Sequence, residues 1–371
     1  MLRALDESGG VSVYARNVTR ELLRFDRENE YVLFYRSARH LGTFAGSERV
    51  TERSLPGRSK VIWDQITIPR ACRRERLDVV FHPKFTVPLF ASCPSVMTVH
   101  GADWFVPEQA RFYPWWDVLY VRTVMPWYFR RAAAVISVSR LTTEDFERAL
   151  DLEPGKVRTI YFAPARHFRR VDDEGSRAEA RARYGLPEEF VFTLTKRKGD
   201  DRKNLRGLLE GYGRYHASRS RPLGLVVGGK DCELFRTDYG LDAKPYGRDV
   251  VFPGWIDQAD LPAVYSSASL FLYPSNLEAF PIPLTEALAC GTPIVTSDAN
   301  GLKEIAGDAA LLVSPTDPDA VAAAIASVAT DRALREDLSQ RALARSKRFD
   351  WGRCARETLE VLIEAAGDAP R

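Results

Sequence analysis

No stretch of this sequence approaches the roughly 18 to 20 consecutive apolar residues that a membrane span needs, and Met1 to Gly10 carries no apolar core of a secretion signal. Cysteine is sparse: Cys72, Cys93, Cys232, Cys290 and Cys354 lie far apart, are odd in number, and form no CxxC pair near histidines. That pattern offers neither a disulfide framework nor a cysteine-histidine metal site, and it fits a reducing compartment. The expected location is therefore cytoplasmic. An excess of one charge is also missing, since 53 Lys and Arg are offset by 50 Asp and Glu, mixed along the chain, for a net +3. Such a balance carries no nucleic-acid signal. No repeat, low-complexity tract or GxGxxG dinucleotide fingerprint is visible.

What is present is a chain of 371 residues with 45% apolar and 28% charged content, long enough for two domains of ordinary size. Short apolar runs alternate with helical patterns: 31–35, 79–81, 95–99 and 134–138, then 190–194, 223–227, 250–252, 270–273, 293–296 and 310–313. Strands that are nearly all apolar and that alternate with helices predict parallel sheets covered on both faces. The charged stretch from Arg166 to Ala182 reads as a linker plus the entry to a helix, so the boundary is expected near Ala165. Ten aromatic residues crowd residues 104–129, from Trp104 to Phe129, with Arg111, Arg122, Arg130 and Arg131 among or beside them. A helix-packing core is one reading. An apolar wall for an acceptor, or a shallow contact with the inner face of the plasma membrane, is the other.

The segment from Tyr273 to Pro293 is the most informative. Pro283 suits the first turn of a helix and Gly291 its C-terminal cap, which predicts a short helix over 283–290 whose N-terminus faces the end of the preceding strand. Free N–H groups and positive dipole gather at that end, beyond the carboxyl edge of the sheet where open α/β folds bind ligands. Glu278 is expected in the loop before the helix and Glu286 in its first turn, two carboxylates flanking one anion-friendly site. In the first half, Gly9 and Gly10 open a helix and let backbone N–H groups approach a ligand closely. His100 ends a strand, where it can hydrogen-bond a hydroxyl.

The frame Glu278-x7-Glu286, the following Ala-Cys-Gly-Thr-Pro-Ile-Val, and residues 304–313 together resemble retaining glycosyltransferases of family 4. The resemblance implies an α/β GT-B fold: two Rossmann-like, doubly wound domains facing a central cleft, over 1–165 and 166–349, with a last helix at 350–371 crossing back to the first. It also implies that Arg197 and Lys203 clasp the donor diphosphate, that Glu278 accepts hydrogen bonds from the sugar hydroxyls and that Glu286 binds the ribose. His100 would lie close to the donor sugar, with Gly9 and Gly10 facing the diphosphate and the sugar. Residues 251–256, including Trp255, then Leu261 and Tyr265, would line the nucleoside pocket. The sequence departs from the family at Gly101, where an aspartate is usual, and at Ala279 and Pro281, where glycines are commonest. Proline has no N–H, which leaves Phe280 and Ile282 beside Pro281 as backbone donors to the sugar. Met1 to Asp6 is shorter than the first strand the resemblance implies, as a truncated gene start would leave it.

The implied activity is metal-independent transfer of a mannose- or glucose-type hexose, with retention and by front-side displacement, from a GDP- or UDP-linked donor to a glycan, lipid-linked or small-molecule acceptor. No cofactor, metal or nucleic acid is expected. A metal-dependent transferase of another fold would need an Asp-x-Asp clamp, and Asp317-Pro-Asp319 is the well-placed candidate; it precedes a helix-like alanine-rich run, where aspartates cap helices. The remaining alternatives are a GT-B epimerase or phosphorylase, and a non-catalytic sugar-nucleotide-binding subunit of a glycan assembly complex.

Overall fold

A computed structural model describes residues 1–6, 9–46, 48–57, 59–196 and 200–367. The chain forms two compact units, Met1–Ala163 together with the stretch from Asp350, and Pro164–Phe349.

In the first unit, helix α1 (Gly10–Phe25) leads to β1 (Tyr31–Tyr35) and β2 (Val50–Ser54), a parallel pair. β3 (Val80–His82), β4 (Ser95–Val99), β5 (Ala134–Ser137) and β6 (Val157–Thr159) form a second, four-stranded parallel sheet in that order. Residues Met1 and Leu2 run beside both sets: the Leu2 N–H donates to the Phe34 carbonyl (2.8 Å) and the Met1 nitrogen to that of Phe81 (2.7 Å). β4 is buried along its whole length. Met97 and Val99 share a core with Val121, Met125 and Phe129 of α2 (Trp115–Arg131), which crosses between β4 and β5. The C-terminal helix Trp351–Gly367 belongs to this unit; Trp351 stacks on Phe162 at 5.5 Å and lies 6.1 Å from Tyr14 of α1. β2 and β6 escape detection in the sequence because β2 reads Val-Thr-Glu-Arg-Ser and β6 Val-Arg-Thr, with no apolar run to mark either.

The second unit holds β7 (Phe190–Leu194), α3 (Leu205–Ala217), β8 (Gly224–Gly228), β9 (Val250–Val251), α4 (Leu261–Ser267), β10 (Leu270–Tyr273), α5 (Ile282–Cys290), β11 (Ile294–Ser297), β12 (Leu311–Val313) and α6 (Pro318–Thr330). Its six strands are all parallel, in the order β12-β11-β10-β7-β8-β9. The chain builds outward from β7 to β9, then returns to lay β10 against the other side of β7. At that reversal the connections leave in opposite directions, which opens a crevice at the carboxyl ends of β7 and β10. Both faces of the sheet are covered, as fully apolar strands require. Val191, Leu225, Leu272 and Val295 pack under α3 and α6, while on the other face the Tyr265 ring lies 5.1 Å from Phe192 and 5.3 Å from Phe271. Gly211 sets the approach of α3 to α6, since a Cβ there would sit 2.5 Å from a Val321 methyl. Among the described residues no helix is long and apolar enough to cross a membrane.

Candidate functional site

The crevice between β7 and β10 is lined by two segments that the structure ties together. Asn204, after β7, adopts a left-handed conformation (φ 55°) that few side chains other than asparagine accept. Its Oδ1 accepts from the Gly207 N–H (3.2 Å) and caps α3, while its Nδ2 donates to the carbonyls of Pro274 (3.0 Å) and Pro315 (2.7 Å). The Arg202 carbonyl accepts from Ser275 Oγ and from the Asn276 N–H, both at 2.8 Å. The loop after β10 is therefore bonded to the loop after β7 at three points. Behind it, Gly301 donates its N–H to the Glu278 carbonyl (3.0 Å), and a Cβ at that position would lie 2.3 Å from the Ala279 carbonyl oxygen. Only glycine lets these backbones meet.

Glu278 stands at the centre, 9% exposed. Lys203 Nζ approaches its Oε1 at 3.2 Å and an Arg202 guanidinium nitrogen its Oε2 at 3.6 Å. Tyr273, the last residue of β10, donates its hydroxyl to Oε1 at 2.8 Å. Lys203 also bonds the Tyr273 hydroxyl and lies 4.8 Å from the centre of that ring. Burial pushes the Glu278 carboxyl up, but the two cations and the tyrosine bond outweigh it and hold the group below the usual glutamate range. The carboxylate is thus ionised and fixed, with two cations within reach of the same opening.

Helix α5 starts at Ile282, with Pro283 in its first turn and Gly291 closing it at φ 67°. Glu286 is the fifth residue of the helix and not in the first turn as the sequence suggested, because the helix begins one residue before Pro283 and Pro281 serves as its N-cap. Its Oε2 accepts from the Tyr265 hydroxyl at 3.0 Å. Burial, opposed only in part by that bond and by Lys203, pushes its carboxyl up to about 7. A carboxyl raised on folding binds its proton more tightly in the folded state. Its stabilising contribution is complete below the unfolded value near 4.5 and is lost as pH rises through about 7, so ionisation costs up to roughly 3 kcal/mol in alkaline solution. Glu286→Gln keeps an acceptor for Tyr265 without that cost. Its melting temperature is expected to match the wild type near pH 4.5 and to exceed it at pH 8, by differential scanning calorimetry; an unchanged difference across that range would show that Glu286 does not titrate there.

The remaining candidates are dispersed. Arg197 lies outside the described residues. Phe280 is buried, its ring 5.8 Å from that of Phe349, and Pro281 is buried beside it, whereas Ile282 is half-buried. Trp255 projects an exposed ring from the loop after β9, but Tyr265 is wholly buried and committed to Glu286, so it offers no surface to a nucleoside. In the first unit, Gly9 takes φ 110° and is the N-cap of α1, with Gly10 its first residue. His100, just past β4, bonds the Pro83 carbonyl through Nε2 (3.0 Å) and meets the Tyr14 ring edge-on at 4.9 Å. Asp317 spends its carboxylate on the N–H groups of Asp319 (3.0 Å) and Ala320 (3.1 Å), capping α6, and Asp319 pairs with Arg214 at 2.5 Å. The crowded aromatics divide: Tyr128 and Phe129 enter the core, while Trp115, Trp116, Tyr120 and Trp127 are 52% to 72% exposed. Arg202 and Tyr273 are the site residues that sequence reasoning missed. Arg202 adjoins Lys203, and Tyr273 closes a wholly apolar strand, where a buried hydroxyl must find a partner.

Comparison with known proteins gives concordant results. The family model for glycosyltransferase family 4 matches residues 8–162, and that for glycosyl transferases group 1 matches residues 176–345. The O-antigen chain mannosyltransferase B of Escherichia coli is 34% identical over 166 residues, 44% of this chain and 43% of that protein. A D-inositol 3-phosphate glycosyltransferase of Nocardioides is 30% identical over 234 residues, 59% of this chain and 50% of that one. The chain therefore spans about half or less of the length of these relatives. Among solved structures, sucrose-phosphate synthase from Thermosynechococcus elongatus matches with a TM-score of 0.73 at 22% identity, over 98% of this chain and 95% of that one. Anabaena HepE, in complex with UDP and glucose, matches with a TM-score of 0.73 at 18% identity, over 96% of each chain. These neighbours share the fold, and with the two family models accounting between them for most of both units, the chain belongs to the family 4, group 1 glycosyltransferases of GT-B fold.

Proposed function

We propose that the protein is a retaining hexosyltransferase that moves a mannose- or glucose-type sugar from a GDP- or UDP-linked donor to a glycan, lipid-linked or small-molecule acceptor. The observation that carries this reading is the convergence of Lys203 and Arg202 on the buried carboxylate of Glu278 at the point where the strand order of the sheet reverses. In the reaction, the acceptor oxygen bonds to the anomeric carbon as the bond from that carbon to the diphosphate oxygen breaks. The departing phosphate oxygen takes the acceptor proton on the same face, which preserves configuration and requires no side-chain nucleophile. Negative charge grows on the diphosphate, and Lys203, with Arg197 and Arg202, stabilises it as it grows. Glu278, ionised and immobile, accepts hydrogen bonds from the sugar hydroxyls and sets the ring's orientation. Glu286 accepts from the ribose. The mannosyltransferase relative supports the sugar class, and the UDP and glucose bound to HepE support the donor class.

A thermal-shift screen against UDP-, GDP-, ADP- and dTDP-sugars tests the donor assignment. A ligand bound only by the folded state at a hundred times its Kd stabilises by about 2.7 kcal/mol, so one base is expected to raise the melting temperature by several degrees. A flat response to all four would refute the reading.

A second element of the proposal is peripheral contact with an anionic membrane surface, favoured by the exposed rings of Trp115, Trp116, Tyr120 and Trp127 along α2. Arg130 lies 5.8 Å from the centre of the Trp127 ring, and tryptophan beside arginine suits the headgroup layer. In co-sedimentation with vesicles containing phosphatidylglycerol, the triple replacement of Trp115, Trp116 and Trp127 by serine is expected to weaken binding at least about tenfold, the burial of three indoles being worth several kcal/mol. Equal sedimentation of both proteins would remove the membrane from the proposal.

A further inference from the structure

Among the described residues that meet around Glu278, Tyr273 is carried by a strand, whereas Lys203, Arg202 and Glu278 itself belong to the segments that follow β7 and β10. Its main chain is fixed by the register of β10 against β11, where it faces Thr296, whose hydroxyl donates to the Tyr273 carbonyl at 2.8 Å. Its ring is buried and stacks on Phe271 at 5.5 Å. A group on a packed strand holds its place more closely than one on a loop.

The hydrogen-bond count gives this fixed ring a task. A phenol has one O–H to donate and lone pairs with which to accept, and an ammonium has three N–H groups and no acceptor. Lys203 donates to the Tyr273 oxygen, and the hydroxyl's own proton goes to Glu278 Oε1 at 2.8 Å. A second N–H of Lys203 goes to the same Oε1 at 3.2 Å. Oε1 is therefore engaged twice, while the Arg202 nitrogen, 3.6 Å from Oε2, stands beyond hydrogen-bond length. That leaves Oε2 to accept from a ligand and the third N–H of Lys203 to donate to one. Burial and the neighbouring carboxylate hold the phenol well above the usual tyrosine range, so it stays protonated and the direction of its bond is kept.

We propose that Tyr273 is a positioning residue whose hydroxyl ties Glu278 to Lys203, so that Oε2 is presented to the sugar hydroxyls and the remaining Lys203 N–H to the departing diphosphate. The inference rests on the transferase reading for the identity of those two ligands, and on the bonds around the Tyr273 oxygen for the arrangement. Without the hydroxyl, Lys203 and Glu278 keep their ion pair but lose the anchor that selects one oxygen of the carboxylate.

The test is the rate of nucleotide release from the donor that the thermal-shift screen selects, with water as the acceptor, in Tyr273→Phe, in Glu278→Gln and in the variant carrying both. Phenylalanine keeps the stack on Phe271 and the ring face beside Lys203, and circular dichroism establishes folding. Tyr273→Phe is expected to lower kcat by about ten- to a hundredfold with the KM for the donor nearly unchanged, as misalignment does and loss of a binding contact does not. Added to Glu278→Gln, it is expected to cost less than about twofold more, because residues that act through one carboxylate are not additive. A wild-type kcat in Tyr273→Phe, a loss confined to KM, or the same fold loss in both backgrounds overturns the proposal.

A second measurement needs no donor. Lys203 and Arg202, which face Glu278 from the segment after β7, stay in place in Tyr273→Phe, as does Glu286 on α5, but one bond that helps hold the Glu278 carboxyl below its usual range is gone. The acid-side loss of melting temperature that Glu278 contributes is expected to end at a higher pH in Tyr273→Phe than in wild type. Coincident curves would show that the hydroxyl has no hold on Glu278 and would end the proposal. Should the curves separate while no nucleotide sugar shifts the melting temperature, the anchoring of Glu278 stands and the transferase reading falls.

Discussion

Lys203→Ala is expected to lower turnover by roughly 10² to 10³ with donor and acceptor saturating, the loss typical of removing one group that stabilises charge developing in a transition state. Lys203 sits 3.2 Å from Glu278, directly past the strand-order reversal, on a segment pinned by the Asn204 side-chain amide and the Arg202 carbonyl. Its ammonium is positioned before any ligand arrives. Ground-state binding of the donor would weaken less than turnover falls, since the diphosphate carries more charge after the glycosidic bond breaks than before. Arg202→Ala is expected to cost less, because its guanidinium stands 3.6 Å from Glu278 and is more exposed than the Lys203 side chain. Initial rates of nucleotide release, with circular dichroism to establish folding, measure both. A folded Lys203→Ala enzyme at near-normal rate would mean that the diphosphate is held elsewhere.

Glu278→Gln is expected to show two separable losses. Turnover should fall by about 10² to 10³, as an amide accepts sugar hydroxyls more weakly than a fixed carboxylate and turns an N–H donor toward some of them. Stability should fall as well, because Lys203 and Arg202 lose their shared anion. Breaking a fully buried pair costs about 3 to 5 kcal/mol; both cations here keep partial contact with water, which reduces the expected loss to roughly 1 to 3 kcal/mol. The sign of the pH dependence distinguishes this from general damage. A carboxyl held below its ordinary value stabilises the fold above the unfolded value, and that stabilisation is lost as pH falls through the folded value. Wild type and Glu278→Gln should therefore differ in melting temperature at pH 7, and the difference should shrink as pH falls below the ordinary glutamate value. A difference that persisted undiminished into acid would mean that the loss is one of packing rather than of charge.

Glu278 and Glu286 show where sequence reasoning reaches and where it stops. Both were found from proline and glycine punctuation around an apolar segment, a local signal. Their states are opposite, one carboxyl held ionised by two cations and a tyrosine, the other pushed up to about 7 by burial beside Tyr265. Nothing within the intervening residues encodes that difference, because it is set by Lys203 and Arg202 from 70 or more positions earlier. The misplacement of Glu286 in the first turn has a local cause: Pro283 fits either of the first two helical positions, and the backbone chose the second. The exposed tryptophans of α2 illustrate the same limit, since aromatic crowding by itself does not say which rings enter the core.

The sequence by itself determined the class of each element. Apolar runs of three to five residues between helical stretches leave a parallel sheet buried on both faces as the way to satisfy their backbones, and the Glu-x7-Glu frame placed a short helix after one of those strands. Only the tertiary structure decided the strand order, and with it the site. β10 returns to lie against β7 instead of extending the sheet beyond β9, and that one neighbour relation brings Tyr273 and Glu278 to Arg202 and Lys203. Periodicity fixes which faces of a strand are buried but not which strand lies beside it, because every buried parallel strand presents the same ladder of N–H and C=O groups to any partner.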